Sequence, residues 1–251
     1  MLVQPLTSYH RLNVYDYVNE FCGWEPIEEL IKYSGTPRNE LYTNSLIKTG
    51  GRAGEVLNLT RENFSVNKHQ KILLCQNMLL EKRYRTKRDP ITKKALLLLN
   101  GKRDTETINA IRKPFPILLE EPLTNLLQEQ LDSLDKGPLF TSPYKGHKPL
   151  TVSWGYKFIR RLNDEIPKPL FNKLGLNQPF RDKITGDKLS DIIHLWQHWF
   201  RAQRASELRS DYGFTEADLM EYFGWLDYNT ALHYSRLGAS NLAKKMRAAI
   251  S

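Results

Sequence analysis

Strand-like apolar runs are gathered in one interval of this chain, residues 71–119, while the segments around it carry the three-to-four-residue apolar spacing of helices. Strands collected in this way, rather than alternating with helices, predict a mainly α, α+β fold with a small antiparallel β-sheet. Within the interval, Lys71 to Leu80 reads as one buried strand through Ile72, Leu73, Leu74, Met78, Leu79 and Leu80. Phe115 to Leu119 reads as another, and Pro116, which has no N–H to donate, assigns it to a sheet edge. Between them lies a basic, turn-rich insertion with a further strand candidate at Ala95 to Leu99 and the turn pair Asn100-Gly101.

The clearest helix follows the sheet, because Leu123, Leu126, Leu127, Gln130, Leu131 and Leu134 repeat at i, i+3, i+4, i+7 between Pro122 and Gly137. Other helices are expected over Glu25–Tyr33, Asn39–Lys48 (burying Leu41, Leu46 and Ile47), Ser153–Asn163, Asp191–Tyr212, Glu216–Phe223, Asn229–Arg236 and Asn241–Ala249, with one more starting near Arg52. Residues 164–190, rich in Pro, Gly and charge, read as one long irregular stretch. A chain of 251 residues builds a sizeable core without disulfides or metal. Residues 1–36 form an aromatic-rich lead-in too short for a core of its own.

Hydrophobic residues make up 40% and the longest Leu run is Ala95 to Leu99, so no segment reads as a membrane span. The first residues, Met1 to Arg11, lack a secretory pattern, and a cytoplasmic, nucleoid-associated location is the expectation. Cys22 and Cys75 have no Cys-x-x-Cys spacing, and of the six histidines only His194 and His198 share a helical face. Neither a metal site nor a cofactor is expected. Thirty-seven Lys and Arg against 28 Asp and Glu leave a formal charge of +9, which favours a polyanionic partner. Lys82, Arg83, Arg85, Lys87, Arg88, Lys93 and Lys94 crowd one short stretch against Asp89 alone, and that clustering points to the phosphates of nucleic acid.

Three spaced signals suit one anionic centre. In Thr49-Gly50-Gly51-Arg52-Ala53-Gly54-Glu55-Val56-Leu57, a glycine pair that lets backbone approach a ligand feeds a helix whose Arg52 has Glu55 on the same face. His198-Trp199-Phe200-Arg201 sets an imidazole beside a guanidinium at i, i+3. Gly224-Trp225 is followed nine residues after Trp225 by Tyr234. Each has a plainer reading when taken alone: a surface ion pair for Arg52 and Glu55, core packing for Trp196, Trp199, Phe200 and Trp225. His194 and His233 are read as having no role.

Together and in this order, these boxes resemble the tyrosine recombinases, or phage-type integrases, in particular those of archaeal viruses and plasmids. The resemblance covers residues 37–240. It implies a catalytic domain of the DNA breaking-rejoining fold over 37–237, after the lead-in 1–36 and before a C-terminal helix in 238–251 that docks in trans. The 36 preceding residues cannot supply the helical core-binding domain such enzymes usually carry, so the chain is either a fragment or a reduced form. Ala202 stands after the second arginine where the family usually has His.

By this resemblance Arg52, Lys82, His198, Arg201, Trp225 and Tyr234 are the catalytic set, supported by Glu55; the charge clustering assigns Arg83, Arg85, Lys87 and Arg88 to DNA contacts. The chemistry suits those residue types. A phosphorane needs permanent positive charge on its non-bridging oxygens, which Arg supplies, and a tyrosine of ordinary pKa about 10 needs a base such as His198. The leaving 5′ oxygen needs a proton; Lys82 is the first choice, with Lys87 and Lys102 open as alternatives. The expected activity is site-specific recombination or integration of a mobile element through a 3′-phosphotyrosyl intermediate on double-stranded DNA. Free protein is expected as a monomer and the active form as a homotetramer on two duplexes. A type IB topoisomerase-like relaxing enzyme and a non-catalytic DNA-binding protein are the alternatives.

Overall fold

The computed structural model of this chain describes residues 20–86, 89, 91–92, 94, 105–143, 148–176, 180–181, 188–190, 195–235 and 247. Two helices cross the middle of the core, α2 (Pro37–Thr49) and α7 (Gln197–Ser210), and pack on each other. Every residue of α2 from Leu41 to Thr49 is buried, and so is every residue of α7 from Trp199 to Leu208. A helix covered on all sides has no solvent face for its polar residues, so most of their polar atoms are paired inside, Ser45 Oγ being among the exceptions. The Thr43 hydroxyl donates to the Asn39 carbonyl at 3.0 Å and pairs with the Ser34 hydroxyl at 2.8 Å, and Asn44 Nδ2 donates to the Leu123 carbonyl at 3.1 Å. Upstream, α1 (Trp24–Lys32) sends Ile27, Leu30 and Ile31 into the same core.

Lys48 of α2 and Arg204 of α7 are neutralised by Glu121 and Glu207. Lys48 Nζ lies 2.9 Å from Glu121, Arg204 forks onto both oxygens of Glu121 at 2.9 and 3.1 Å, and Arg204 also reaches Glu207 at 2.7 Å. The Tyr222 hydroxyl donates to the Lys48 carbonyl at 3.0 Å and accepts from Arg204 at 3.1 Å. Burial drives the Lys48 ammonium down to about 8, against the pull of Glu121. Burial also acts to raise the Glu121 carboxyl, but Arg204 and Lys48 outweigh it and hold the group below its ordinary range.

The sheet departs from the sequence pattern at one point. The run Lys71–Leu80 is two strands rather than one, because Asn77 takes a positive φ of 55° and turns the chain. Before the turn, β2 (Ile72–Cys75) lies between β1 (Phe64–Asn67) and β5 (Phe115–Leu118) in an antiparallel sheet, pairing Cys75 with Phe64 and with Phe115. β1 has no counterpart among the strands expected from sequence. β5 is an edge strand, as Pro116 requires. Beyond the turn, β3 (Leu79–Thr86) forms a separate ribbon with β4 (Thr105–Ile111). The strand candidate at Ala95–Leu99 and the turn Asn100-Gly101 lie outside the described residues.

The remaining helices are α3 (Ala53–Leu57), α4 (Thr124–Asp132), α5 (Val152–Glu165), α6 (Lys168–Lys173), α8 (Glu216–Phe223) and α9 (Tyr228–Ser235). α4 is shorter than its apolar stripe, since Leu123 adopts a left-handed conformation ahead of it and Leu134 lies beyond its end and exposed. α7 starts at Gln197 rather than Asp191, after an extended Trp196. The stretch 164–190 is not irregular throughout: it holds α6 and a ribbon of β6 (Phe180–Arg181) with β7 (Lys188–Ser190). Pro169 sits in the first turn of α6, and Leu170 anchors it. The C-terminal helix expected over Asn241–Ala249 lies outside the described residues, apart from helical Arg247. Among the described residues no helix is long and apolar enough to cross a membrane, and no three His, Cys, Asp or Glu gather as a metal site needs.

Glu121 joins two buried cations, so Glu121→Leu is expected to cost about 3–5 kcal/mol in urea unfolding, the range for a broken buried pair. Adding Lys48→Met should recover much of that loss, since Arg204 keeps Glu207. A loss below about 1 kcal/mol would place the cluster with weak surface pairs.

Candidate active site

The site begins where α2 stops. Gly50 closes the helix in the left-handed conformation, at φ 57°, with its N–H donating to the Leu46 carbonyl at 3.0 Å. A Cβ at Gly50 would run into the Phe223 ring, and one at Gly51 into Met78 and Val56. The glycine pair therefore serves a tight fit against the protein's own side chains. The turn delivers Arg52 to the start of α3, where its backbone N–H donates to Glu55 Oε2 at 2.8 Å.

Glu55, 1% exposed, holds two arginines at once. Its Oε1 lies 3.6 Å from Arg52 Nη1, and its Oε2 lies 3.4 Å from Nη1 of Arg201 on α7. Arg201 is only 3% exposed; it donates to the Gly50 carbonyl at 2.7 Å and to the Phe223 carbonyl at 3.5 Å, and lies against the rings of Phe223 and Trp225. Arg52, 39% exposed, reaches solvent. A shallow recess of about 20 Å³ opens between them, lined by Gly51, Arg52, Ala53, Tyr156, Gln197, His198 and Arg201. His198 stands at its exposed rim, one helical turn before Arg201. Partial loss of hydration, then the charges of Arg201 and Arg52, lower the imidazole from its ordinary value, with Glu55 opposing. At neutral pH the ring is uncharged and able to accept a proton.

Tyr234 is linked to this site through stacked rings. α8 ends at Gly224, at φ 65°, and the Trp225 N–H donates back to the Met220 carbonyl at 2.9 Å. That closure lays Trp225 on Phe223, with centroids 4.5 Å apart and planes 14° off parallel. Tyr234 of α9 stacks on Trp225 in turn, at 4.9 Å and 19°. Other nearby tyrosines are placed differently. The Tyr222 hydroxyl is committed to Lys48 and Arg204 in the core, while Tyr228 is 53% exposed.

Arg52, Glu55, His198 and Arg201 are thus brought together, with Trp225 and Tyr234 joined to them by stacking. The basic stretch is only partly described. Lys82, Arg83 and Arg85 lie on β3, where Arg83 pairs with Ile108 and Arg85 with Glu106, and the ladder shifts register between Leu80 and Arg83. Lys87, Arg88 and Lys102 lie outside the described residues. Three residues near the site were missed from sequence. Tyr156 and Gln197 line the recess, and buried Arg112, just past the end of β4, faces the charges of Arg201 and Glu55. Arg112 carried one signal, a basic residue between the apolar Ile111 and the strand Phe115–Leu118.

No protein-family model and no curated protein matches this chain. Solved structures do. XerA recombinase superposes with a TM-score of 0.50 at 18% identity, over 90% of this chain and 63% of that one. The Tn1549 transposon integrase in complex with circular intermediate DNA gives 0.48 at 13% identity, over 89% of this chain and 64% of that one. XerH site-specific recombinase bound to palindromic difH substrate gives 0.46 at 16%, over 88% and 51%. The chain spans less than two thirds of each of these proteins. Likeness at such identity is one of fold: this is the mainly α, α+β fold of tyrosine-recombinase catalytic domains, with its small antiparallel sheet.

The depressed His198 predicts a pH effect of definite sign. The unfolded chain binds a proton at this residue near pH 6.5, before the folded protein does. Its contribution to stability is therefore fully present above about pH 6.5 and is lost as pH falls toward the folded value. NMR titration of the imidazole should place its midpoint below the ordinary value, and Arg52→Gln, which removes one neighbouring cation, should raise it. A midpoint at or above about 6.5 would contradict this placement.

Proposed function

We propose that the chain is a site-specific DNA recombinase or integrase that cleaves and rejoins strands through a 3′-phosphotyrosyl intermediate. The observation that supports it most is the pairing of buried Arg201 and solvent-reaching Arg52 on one carboxylate, beside a neutral imidazole and a recess open to solvent. Two guanidinium groups meet on Glu55 beside the recess, an arrangement whose donors suit an anion. A phosphodiester is such an anion, and Arg donors suit its two non-bridging oxygens.

In the proposed reaction the Tyr234 oxygen attacks phosphorus, His198 takes the phenolic proton, and the bond from phosphorus to the 5′ oxygen breaks. The 5′ oxygen takes a proton from Lys82, or from Lys87 or Lys102, and leaves as a hydroxyl. Arg52 and Arg201 stabilise the charge that builds on the non-bridging oxygens. The 5′ hydroxyl of a partner strand then attacks the phosphotyrosine, and Tyr234 recovers its proton. One phosphoester replaces another at each step, so no nucleotide hydrolysis is required to drive rejoining. Arg83, Arg85, Lys87 and Arg88 would lie along the duplex. The domain boundaries proposed are 37–237 for catalysis and 238–251 for a helix docking in trans, within a homotetramer on two duplexes that moves a mobile element.

Covalent trapping on nicked duplexes with randomised sequence tests the reading. The wild-type chain should form an adduct that maps to Tyr234 and is absent in Tyr234→Phe, with duplex affinity retained. Arg52→Ala and Arg201→Ala should each slow adduct formation by about 10²-fold or more, the usual loss for a preorganised donor. No adduct from the wild type, or one mapping to Tyr222 or Tyr228, would overturn the assignment. A 5′-bridging phosphorothiolate, whose sulfur leaves unprotonated, should restore a Lys82→Ala variant; absence of rescue moves the proton donor elsewhere.

The basic strand gives a second, separable expectation. Neutralising Arg83, Arg85, Lys87 and Arg88 should flatten the log-log salt dependence of duplex binding by up to about 0.9 for each phosphate these side chains neutralise. An unchanged slope would make that stretch a solvated face.

A further inference from the structure

Arg112 is 1% exposed and has no acidic side chain bound to it among the described residues. Its backbone N–H donates to the Met78 carbonyl at 2.9 Å, which fixes where the side chain starts. Nε donates to the Tyr222 carbonyl and Nη1 to the Thr49 carbonyl at 2.8 Å, while Nη2 is buried without a hydrogen-bond partner. The guanidinium lies 3.5 Å from the Phe115 ring centroid and 4.8 Å from that of Tyr222.

The two acceptors stand immediately ahead of the two halves of the site. Thr49 leads directly into Gly50, Gly51 and Arg52, and Tyr222 leads into Phe223, Gly224 and Trp225, on which Tyr234 stacks. We infer that Arg112 is a positioning residue for the reaction proposed above: its rigid guanidinium sets the spacing between the turn that presents Arg52 and the turn that presents Trp225 and Tyr234. The inference rests on that reading of the site. A planar fork suits the task because its donors keep a fixed separation, which a lysine ammonium does not. Stability is a poor explanation for the residue. A guanidinium buried on two carbonyls without a carboxylate is expensive, and an apolar side chain of similar volume usually serves the core as well or better.

A pair of variants separates positioning from support. Arg112→Met and Arg112→Lys are compared with wild type by urea unfolding, by duplex Kd, by adduct formation at saturating nicked DNA, and by the ¹⁹F resonance of 5-fluorotryptophan at Trp225 without DNA. Arg112→Met should unfold at no lower urea concentration than wild type and keep its Kd, yet form adduct at least about 10-fold more slowly, since small displacements of reacting groups have effects of that size. Arg112→Lys should fall between, and the Trp225 resonance should move in both. Loss of stability with an unshifted resonance, or adduct formation at the wild-type rate, would overturn the inference. If Arg112→Met does not fold, Arg112→Lys is judged by the same Kd-against-rate split. If the wild type forms no adduct, the functional reading fails, and the Trp225 resonance alone decides whether Arg112 sets the turn.

Discussion

Arg201 sits inside this protein with the Glu55 carboxylate buried beside it. An isolated guanidinium in a dry interior would cost several kcal/mol, and the residues able to offset it come from three separate turns of the chain: the Glu55 carboxylate, the Gly50 carbonyl and the Phe223 carbonyl. Each of those must be delivered to one point. Gly50 is presented by the end of α2, Glu55 by α3 and Phe223 by the end of α8, so the positions of three helices are tied to one charged group. The same carboxylate then takes Arg52, and the solvent-reaching half of the site inherits its placement from the buried half.

One helical turn further along α7, the same kind of chemistry is used to the opposite end. Arg204 meets Glu121 and Glu207, Lys48 meets Glu121, and two cations face two carboxylates with a tyrosine hydroxyl closing the network. Such a cluster leaves no charge over and has nothing to offer a ligand. Around Arg201 the balance differs, because Arg52 and Arg201 meet on one Glu55 and the imidazole is kept neutral. A cluster closed on itself suits a scaffold, and a pair of arginines beside a recess suits an anion. Both are carried by α2 and α7, so the rigid pair that orders the core also orders the site.

Much of this was legible from local pattern. Helices whose apolar spacing is regular, such as α5 and α8, fall where the sequence places them, and Pro116 marks its strand as an edge. Boundaries failed where a backbone conformation overrides side-chain pattern: the Leu-rich run of 71–80 gives no warning that Asn77 turns the chain, and Leu123 looks like helix while standing outside it. Contacts between distant segments were the least visible. Glu55 was read as a partner for Arg52 at i, i+3, but its hold on Arg201 spans 146 residues and has no local signature. Arg112 was missed for the same reason, since its two acceptors are backbone carbonyls and any residue type supplies those.

Trp225 shows why a packing role and a functional role need not compete. Taken singly it is a core tryptophan, buried and sandwiched between Phe223 and Tyr234. Yet the same ring lies 5.2 Å from the Arg201 guanidinium, and the ring beneath it presses on Gly50. The negative faces of Phe223 and Trp225 help a buried cation that has only part of a carboxylate to itself. The stack also sets how far Tyr234 stands from the arginines, because aromatic planes in contact have a fixed separation. A smaller side chain at 225 would therefore loosen the cation and the tyrosine together, and the sequence spacing from Gly224 to Tyr234 has a physical basis in that shared ring.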